Sequence, residues 1–278
     1  MQVGVGLPDT IANLSGDLML QWAQQADAGP FSSLAVLDRL LYDSYEPMTT
    51  LAAAAAVTRR VQLATMIVIS PLRNTTLLAK AARTVNALSN GRFTLGISIG
   101  ARRDDYELAN VPYRRRGRIL DQQLLDLDEH WDNEAIGPQS GSRPDLMIGG
   151  TSDLTFGRVA RFADGYMHGG GPPRAFARNA TQARAAWADA ARPGQPQLWG
   201  MGYFAFGETA AAQGTGYLRD YYAFTGPFAE RIAQGLLTTP QAIAQFVRGY
   251  ADAGCDNLIL FPVTADLAQL DQLAGIIG

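Results

Sequence analysis

Two glycine-rich segments carry the strongest chemical signal in this chain of 278 residues. One is Gly149-Gly150-Thr151-Ser152-Asp153, directly ahead of a helical stretch, and the other is Gly169-Gly170-Gly171. Glycines let a ligand approach the backbone closely. The start of a helix offers main-chain N–H groups with no partner, joined here by the hydroxyls of Thr151 and Ser152, so the pattern fits an anion and in particular a phosphate. The same spelling also fits a tight turn in which Ser152 or Asp153 caps the helix. A second glycine-rich loop after the next strand favours a joint phosphate pocket.

His168 stands just before the three glycines, where it is expected to face that pocket and to titrate near neutral pH. A capped structural histidine is the alternative. His130, beside Trp131, reads as a surface or packing residue. Asp38-Arg39 closes another strand-like run. Arginine stays protonated and cannot serve as a general base, but it can stabilise a peroxide, an enolate or a carboxylate. Asp104-Asp105-Tyr106-Glu107 reads as a solvated helix start. No HExxH, paired CxxC or carboxylate triad with metal spacing occurs, so no metal site is expected. Lys80, the one lysine, falls on a helix and not at a strand end, which argues against Schiff-base chemistry.

The elements that must position these residues alternate along the chain. Strands are expected at Val3–Leu7, Ser33–Leu37, Val61–Ile69, Phe93–Ile99, Leu146–Ile148, Asp164–His168, Gln197–Phe206 and Asn257–Phe261. Helical stretches lie between them, including Gly16–Ala28, the alanine-rich run that starts at Pro47, and Thr75–Leu88. Eight strands with crossover helices predict a single-domain α/β fold over residues 1–278, a (β/α)8 barrel whose ligand sits at the carboxyl ends of the strands. The aromatic stretch Tyr217-Leu218-Arg219-Asp220-Tyr221-Tyr222-Ala223-Phe224 departs from a simple βα unit. It reads as a helical insertion that either packs on the barrel or forms part of a lid.

A formal net charge of −3 argues against nucleic-acid binding and for a small-molecule partner. The single Cys255 forms no internal disulfide, and neither a leader nor a membrane-spanning run is visible. These features are expected of a cytoplasmic protein with no membrane partner.

Several motifs together resemble the luciferase-like flavin or deazaflavin F420 oxidoreductases. They are Leu51 to Thr58, Pro71-Leu72-Arg73-Asn74 with Leu78-Ala79-Lys80, Leu88-Ser89-Asn90-Gly91-Arg92-Phe93 with Leu95 to Gly100, Val111-Pro112-Tyr113 with Arg116-Gly117, and Ile148-Gly149-Gly150 with Ala163-Asp164-Gly165. The resemblance covers nearly the whole chain and implies a (β/α)8 barrel with insertions. The cofactor ring would lie in the barrel mouth and its phosphate tail near the loops after later strands. Thr65-Met66 then occupy the place where such proteins often hold a non-prolyl cis peptide against the ring. Gly100 matches a glycine beside the ring, and Gly149, Gly150, Thr151 and Ser152 match the phosphate end, with Gly169 and Gly170 adjoining.

Arg39 replaces a histidine that many relatives carry after the acidic residue, and Ile99 stands where bacterial luciferases have a phosphate-binding arginine. Arg102 or Arg103 are possible substitutes. The segment Asp132 to Pro144 is shortened, which is expected to open one side of the mouth. The activity implied is a monooxygenase using reduced FMN and O2 on a small organic substrate, with Arg39 and His168 as the polar groups facing it. A flavin reductase would supply the cofactor, and a homodimer is the common assembly. F420-dependent hydride transfer and a non-catalytic flavin-binding barrel are the alternatives.

Overall fold

The computed structural model describes residues 1–133, 135–138 and 143–278. Strands and helices alternate as predicted: β1 (Gln2–Gly6), α1 (Gly16–Ala28), β2 (Ser33–Val36), α2 (Pro47–Val57), β3 (Gln62–Thr65), β4 (Val68–Ile69), α3 (Thr75–Leu88), β5 (Phe93–Ser98), α4 (Arg103–Leu108), α5 (Arg116–Asp132), β6 (Asp145–Gly149), α6 (Asp153–Phe162), β7 (Gly165–Met167), α7 (Pro173–Asp189), β8 (Gln197–Phe204), α8 (Glu208–Tyr221), α9 (Phe228–Gln234), α10 (Pro240–Asp252), β9 (Asn257–Pro262) and α11 (Ala268–Ile277). The helices begin where capping chemistry allows. Ser15, Asn74, Ser152 and Thr239 each accept from an N–H in the first turn, and proline opens α2, α7 and α10.

The strands pair in parallel in the order β3-β2-β1-β9-β8-β7-β6-β5-β4, and β3 also pairs with β5. That extra pairing closes a barrel of eight staves, because β3 and β4 are two halves of one stave. The continuous strand expected from Val61 to Ile69 is interrupted at Met66-Ile67, whose peptide bond is cis. The expected place was Thr65-Met66, so the feature falls one bond later.

Residues alternate along each stave with a period of two. Leu34, Val36, Leu63, Leu95, Leu146, Ile148 and Leu258 face the surrounding helices, in one core with Trp22, Leu78, Leu124 and Phe176. Ala35, Ala64, Met147, Met167, Trp199, Met201, Ile259 and Phe261 fill the barrel interior. Leu218, Tyr221 and Ala233 of α8 and α9 join that second cluster, so the helical insertion closes over the C-terminal mouth. The segment 132–144, expected to open one side of the mouth, lies in part outside the described residues. No helix among the described residues is long and apolar enough to cross a membrane.

Gly96 marks the tightest point of the interior. A Cβ there would stand 2.2 Å from the Thr65 carbonyl oxygen and 2.5 Å from Met167 Sδ. Thr65 Oγ1 also donates to the Gly96 carbonyl and accepts its N–H, both at 2.8 Å, locking the two staves together. Gly96→Ala is expected to destabilise the fold by about 1–3 kcal/mol through overpacking, read as a lower urea midpoint with an unchanged slope.

Candidate functional site

In a closed parallel barrel, strand ends and the loops that follow them converge on one face. The loops after β6 and β7 meet there. Among the described residues, the N–H groups of Gly150, Thr151, Gly169, Gly170 and Gly171 make no hydrogen bond within the protein. Gly170 and Gly171 have φ of +93° and +115°, which turns successive amides outward and which residues with a side chain rarely adopt. The start of α6 adds its own free amides. Ser152 is its N-cap: the hydroxyl accepts from Thr155 N and touches Thr155 Oγ1. What this loop offers an anion is therefore mainly its main chain.

His168 supports both loops. Its Nδ1 lies 3.2 Å from Asn179 Nδ2 and 3.2 Å from the Tyr166 hydroxyl. Tyr166 in turn donates to the Gly150 carbonyl at 2.8 Å and accepts from Asn179. An amide nitrogen only donates, so Nδ1 accepts and the ring proton sits on Nε2. That buried Nε2 has no hydrogen-bond partner among the described residues, and it lies 3.9 Å from where a Cβ of Gly171 would be. Burial pushes the His168 pKa from 6.5 down to about 4, with the Gly170 backbone offsetting only part of the cost. The ring is thus neutral at physiological pH, and the near-neutral switch expected from the sequence is not what this environment gives. Its place is also different: it packs edge-on against Phe176 of α7, in the layer outside the barrel lumen. His168 therefore braces the glycine loop and does not face the substrate side.

Across the mouth the polar groups are guanidiniums and phenols. Arg39 bonds Asp104 at 2.9 Å and lies 4.5 Å from the Tyr42 ring centre and 5.8 Å from that of Tyr221. Arg102 stacks on the other side at 4.5 Å from Tyr221 and 4.2 Å from Phe224, and it donates to the Tyr221 carbonyl at the end of α8. Thr10–Tyr217 at 2.6 Å, Tyr42–Asp220 at 2.9 Å and Tyr203–Tyr222 at 2.8 Å complete the attachment of the insertion. The aromatic residues singled out in the sequence thus do cover the mouth.

A family profile for luciferase-like monooxygenase matches residues 1–246. The chain belongs to the luciferase-like monooxygenase family. An uncharacterised protein of Mycobacterium tuberculosis is 29% identical over 187 residues, 54% of this chain and 65% of that protein. The chain thus spans just under two thirds of this curated relative. An F420-dependent secondary alcohol dehydrogenase, solved with an F420-acetone adduct, superposes with a TM-score of 0.81 at 12% identity, covering 100% of this chain and 99% of that one. The oxygenating constituent of 3,6-diketocamphane monooxygenase of Pseudomonas putida, a type II Baeyer-Villiger enzyme in complex with FMN, gives 0.75 at 14% identity over 100% and 96%. At those identities the likeness shows the fold alone.

In this luciferase-like barrel the other sequence candidates have definite places. Thr65 is spent on Gly96, while Met66 and the neighbouring Ile67 pack in the interior cluster. Ile67, which no sequence motif marks, would meet a Cβ at either Gly149 or Gly96. Gly100 has positive φ and sits against Ile69. The stretch 96–100 spells G-x-S-x-G, yet Ser98 is a strand residue that accepts from Gly100 N, and neither histidine is bonded to it. It forms no nucleophile elbow. No cluster of metal-ligating side chains occurs among the described residues.

Three buried carboxyls frame the loop that presents Arg39. Asp9 accepts from Leu37 N at 3.1 Å, and burial pushes it well above the ordinary carboxylate range. Asp38 accepts from Ile69 N at 2.8 Å and from Arg73 at 3.1 Å. Asp105 accepts from Leu40 N and Leu41 N at 3.1 and 2.7 Å. Asp9 and Asp105 lie far from this loop in sequence, and only long-range folding reveals the frame.

The depressed His168 pKa sets a pH dependence. An unfolded chain binds this proton below about 6.5 and the folded one only below about 4, so acidification through that window favours unfolding. Wild type is expected to lose about 3 kcal/mol from this source between pH 6.5 and 4. A His168→Gln variant should lack that loss, checked by urea unfolding of both proteins at about pH 7 and about pH 5.

Proposed function

We propose that this luciferase-like protein is a flavin-dependent monooxygenase that takes reduced FMN and O2 to a small organic substrate in the barrel mouth. One observation carries the reading: five loop amides that make no hydrogen bond within the protein gather where strands β6 and β7 end. Such a set fits the phosphate of a cofactor tail. Ser152 and Thr151 add hydroxyls at the start of α6.

When bound, the reduced flavin supplies the electrons that activate O2. The chain's own residues bind, orient and exclude water. Gly150, Thr151, Gly169 and Gly170 would hold the tail through their N–H groups, while His168, neutral and fixed by Asn179, braces the loop that presents them. The cover formed by Tyr217, Tyr221 and Tyr222 keeps solvent from the mouth. Arg39 orients the substrate through its guanidinium. A separate reductase delivers the reduced cofactor in this reading.

Titration of the purified chain with FMN, reduced FMN and F420 tests it. Reduced FMN is expected to bind most tightly, inorganic phosphate to compete, and Gly170→Val to weaken binding about tenfold or more while leaving the fold intact, because valine resists φ of +93°. Selective binding of F420 with no response to reduced FMN overturns the monooxygenase assignment in favour of hydride transfer. No binding of any of the three overturns both.

A further inference from the structure

We infer that Arg39 is the anion-binding residue of the substrate site, holding a carboxylate or enolate oxygen of a flat acidic substrate beside the rings of Tyr42 and Tyr221. The inference deepens the reading above and rests on the mouth being the substrate cavity.

The Arg39 side chain is only 10% exposed, so a permanent charge has been taken almost wholly out of water. A guanidinium so placed needs its donors answered. Only Asp104 pairs with it, through Nη2, and the buried Nε has no partner among the described residues. Asp104 is itself 38% exposed, and a pair with one partner reaching solvent holds weakly enough for a better-placed carboxylate to replace it. The other carboxyls around this loop have partners of their own, although Asp105 Oδ2 is buried without one among the described residues. Asp38 serves Ile69 N and Arg73, Asp9 serves Leu37 N, Asp220 takes the Tyr42 hydroxyl, and Asp105 holds two main-chain amides through Oδ1.

Shape points the same way. The rings of Tyr42 and Tyr221 meet edge to face, with centres 5.3 Å apart and planes at 88°, and Arg39 lies against both. Aromatic faces of this kind favour a planar partner whose acid group pairs with the guanidinium. Arg102, also against Tyr221, has no carboxylate within ion-pair distance among the described residues and adds a second positive charge to the same ring. The anion could come from a substrate acid or from the phosphate of a cofactor, and the loop amides across the mouth already answer the phosphate.

Benzoate and its uncharged analogue benzamide test the assignment, with binding to the full chain followed by quenching of its own fluorescence and folding checked by circular dichroism. Benzoate is expected to bind at least about tenfold more tightly than benzamide, and Arg39→Met to weaken it about 10- to 100-fold. Asp104→Asn, which frees the guanidinium, should tighten benzoate several-fold, an effect that a merely structural arginine would not produce. Should Arg39→Met fail to fold, Arg39→Lys and Asp104→Asn carry the same comparison. Equal binding of benzoate and benzamide, or no change in either variant, overturns the proposal. So does displacement of benzoate by inorganic phosphate together with an equal loss of FMN binding in Arg39→Met, which would assign the anion to the cofactor tail. Benzoate behaving as expected in a chain that binds neither FMN nor F420 would leave the Arg39 site standing and remove the flavin reading.

Discussion

The loop that ends the second stave is held by the Asp38 carboxylate, whose two oxygens answer the Ile69 amide where the broken third stave resumes and the Arg73 guanidinium beyond it. Arg73 also bonds Glu46, which caps the first turn of α2. One buried charge therefore joins a strand end, the restart of its neighbour and a helix start. Burial pushes the Asp38 carboxyl up, and Arg73 with the Ile69 amide opposes that push. Removing either partner would leave a charge stranded in a dry place, which is why such a group is kept only when fully answered. Asp9 and Asp105 hold the loop on either side, so the segment carrying Arg39 is framed at three points.

The mouth of the barrel is divided between two chemistries. On the side of β6 and β7 the main chain offers amide donors with no protein acceptor, backed by a neutral imidazole. After β2 and β5 stand two guanidiniums, Arg39 and Arg102, met by phenols from β8 and the α8 insertion whose hydroxyls burial keeps protonated. The insertion from α8 to α9 spans the space between. Its attachment by Arg102 acts on the last carbonyls of α8, where the helix dipole favours a cation. The contacts are hydroxyls, one carbonyl and stacked rings, so the cover is fixed by direction more than by area.

Much of this is legible in the chain because it is local. Period-two alternation marks the inner and outer faces of each stave, and the prolines at helix starts place the ends. The two glycine loops are recognisable by residue type alone, since the positive φ of Gly150, Gly170 and Gly171 and the free amides at a helix start follow from local sequence. What is not legible depends on partners far away in sequence. The neutrality of His168 follows from burial beside Phe176 and Asn179, and the seating of the insertion follows from Arg102 meeting Tyr221, 119 residues away. Ser152 satisfies the capping reading because its own third neighbour, Thr155, lies within reach. The break in the third stave comes one bond later than expected, at Met66-Ile67, and Ile67 lies against Gly149.

The Tyr166 hydroxyl bridges what would otherwise be two separate loops, touching the Gly150 carbonyl on one side and His168 on the other while Asn179 fixes both. In the proposed function, a visitor gripped by either loop would therefore meet a socket already assembled. Little ordering entropy would be left to spend at the moment of capture, and the free energy of each amide contact would go into residence time.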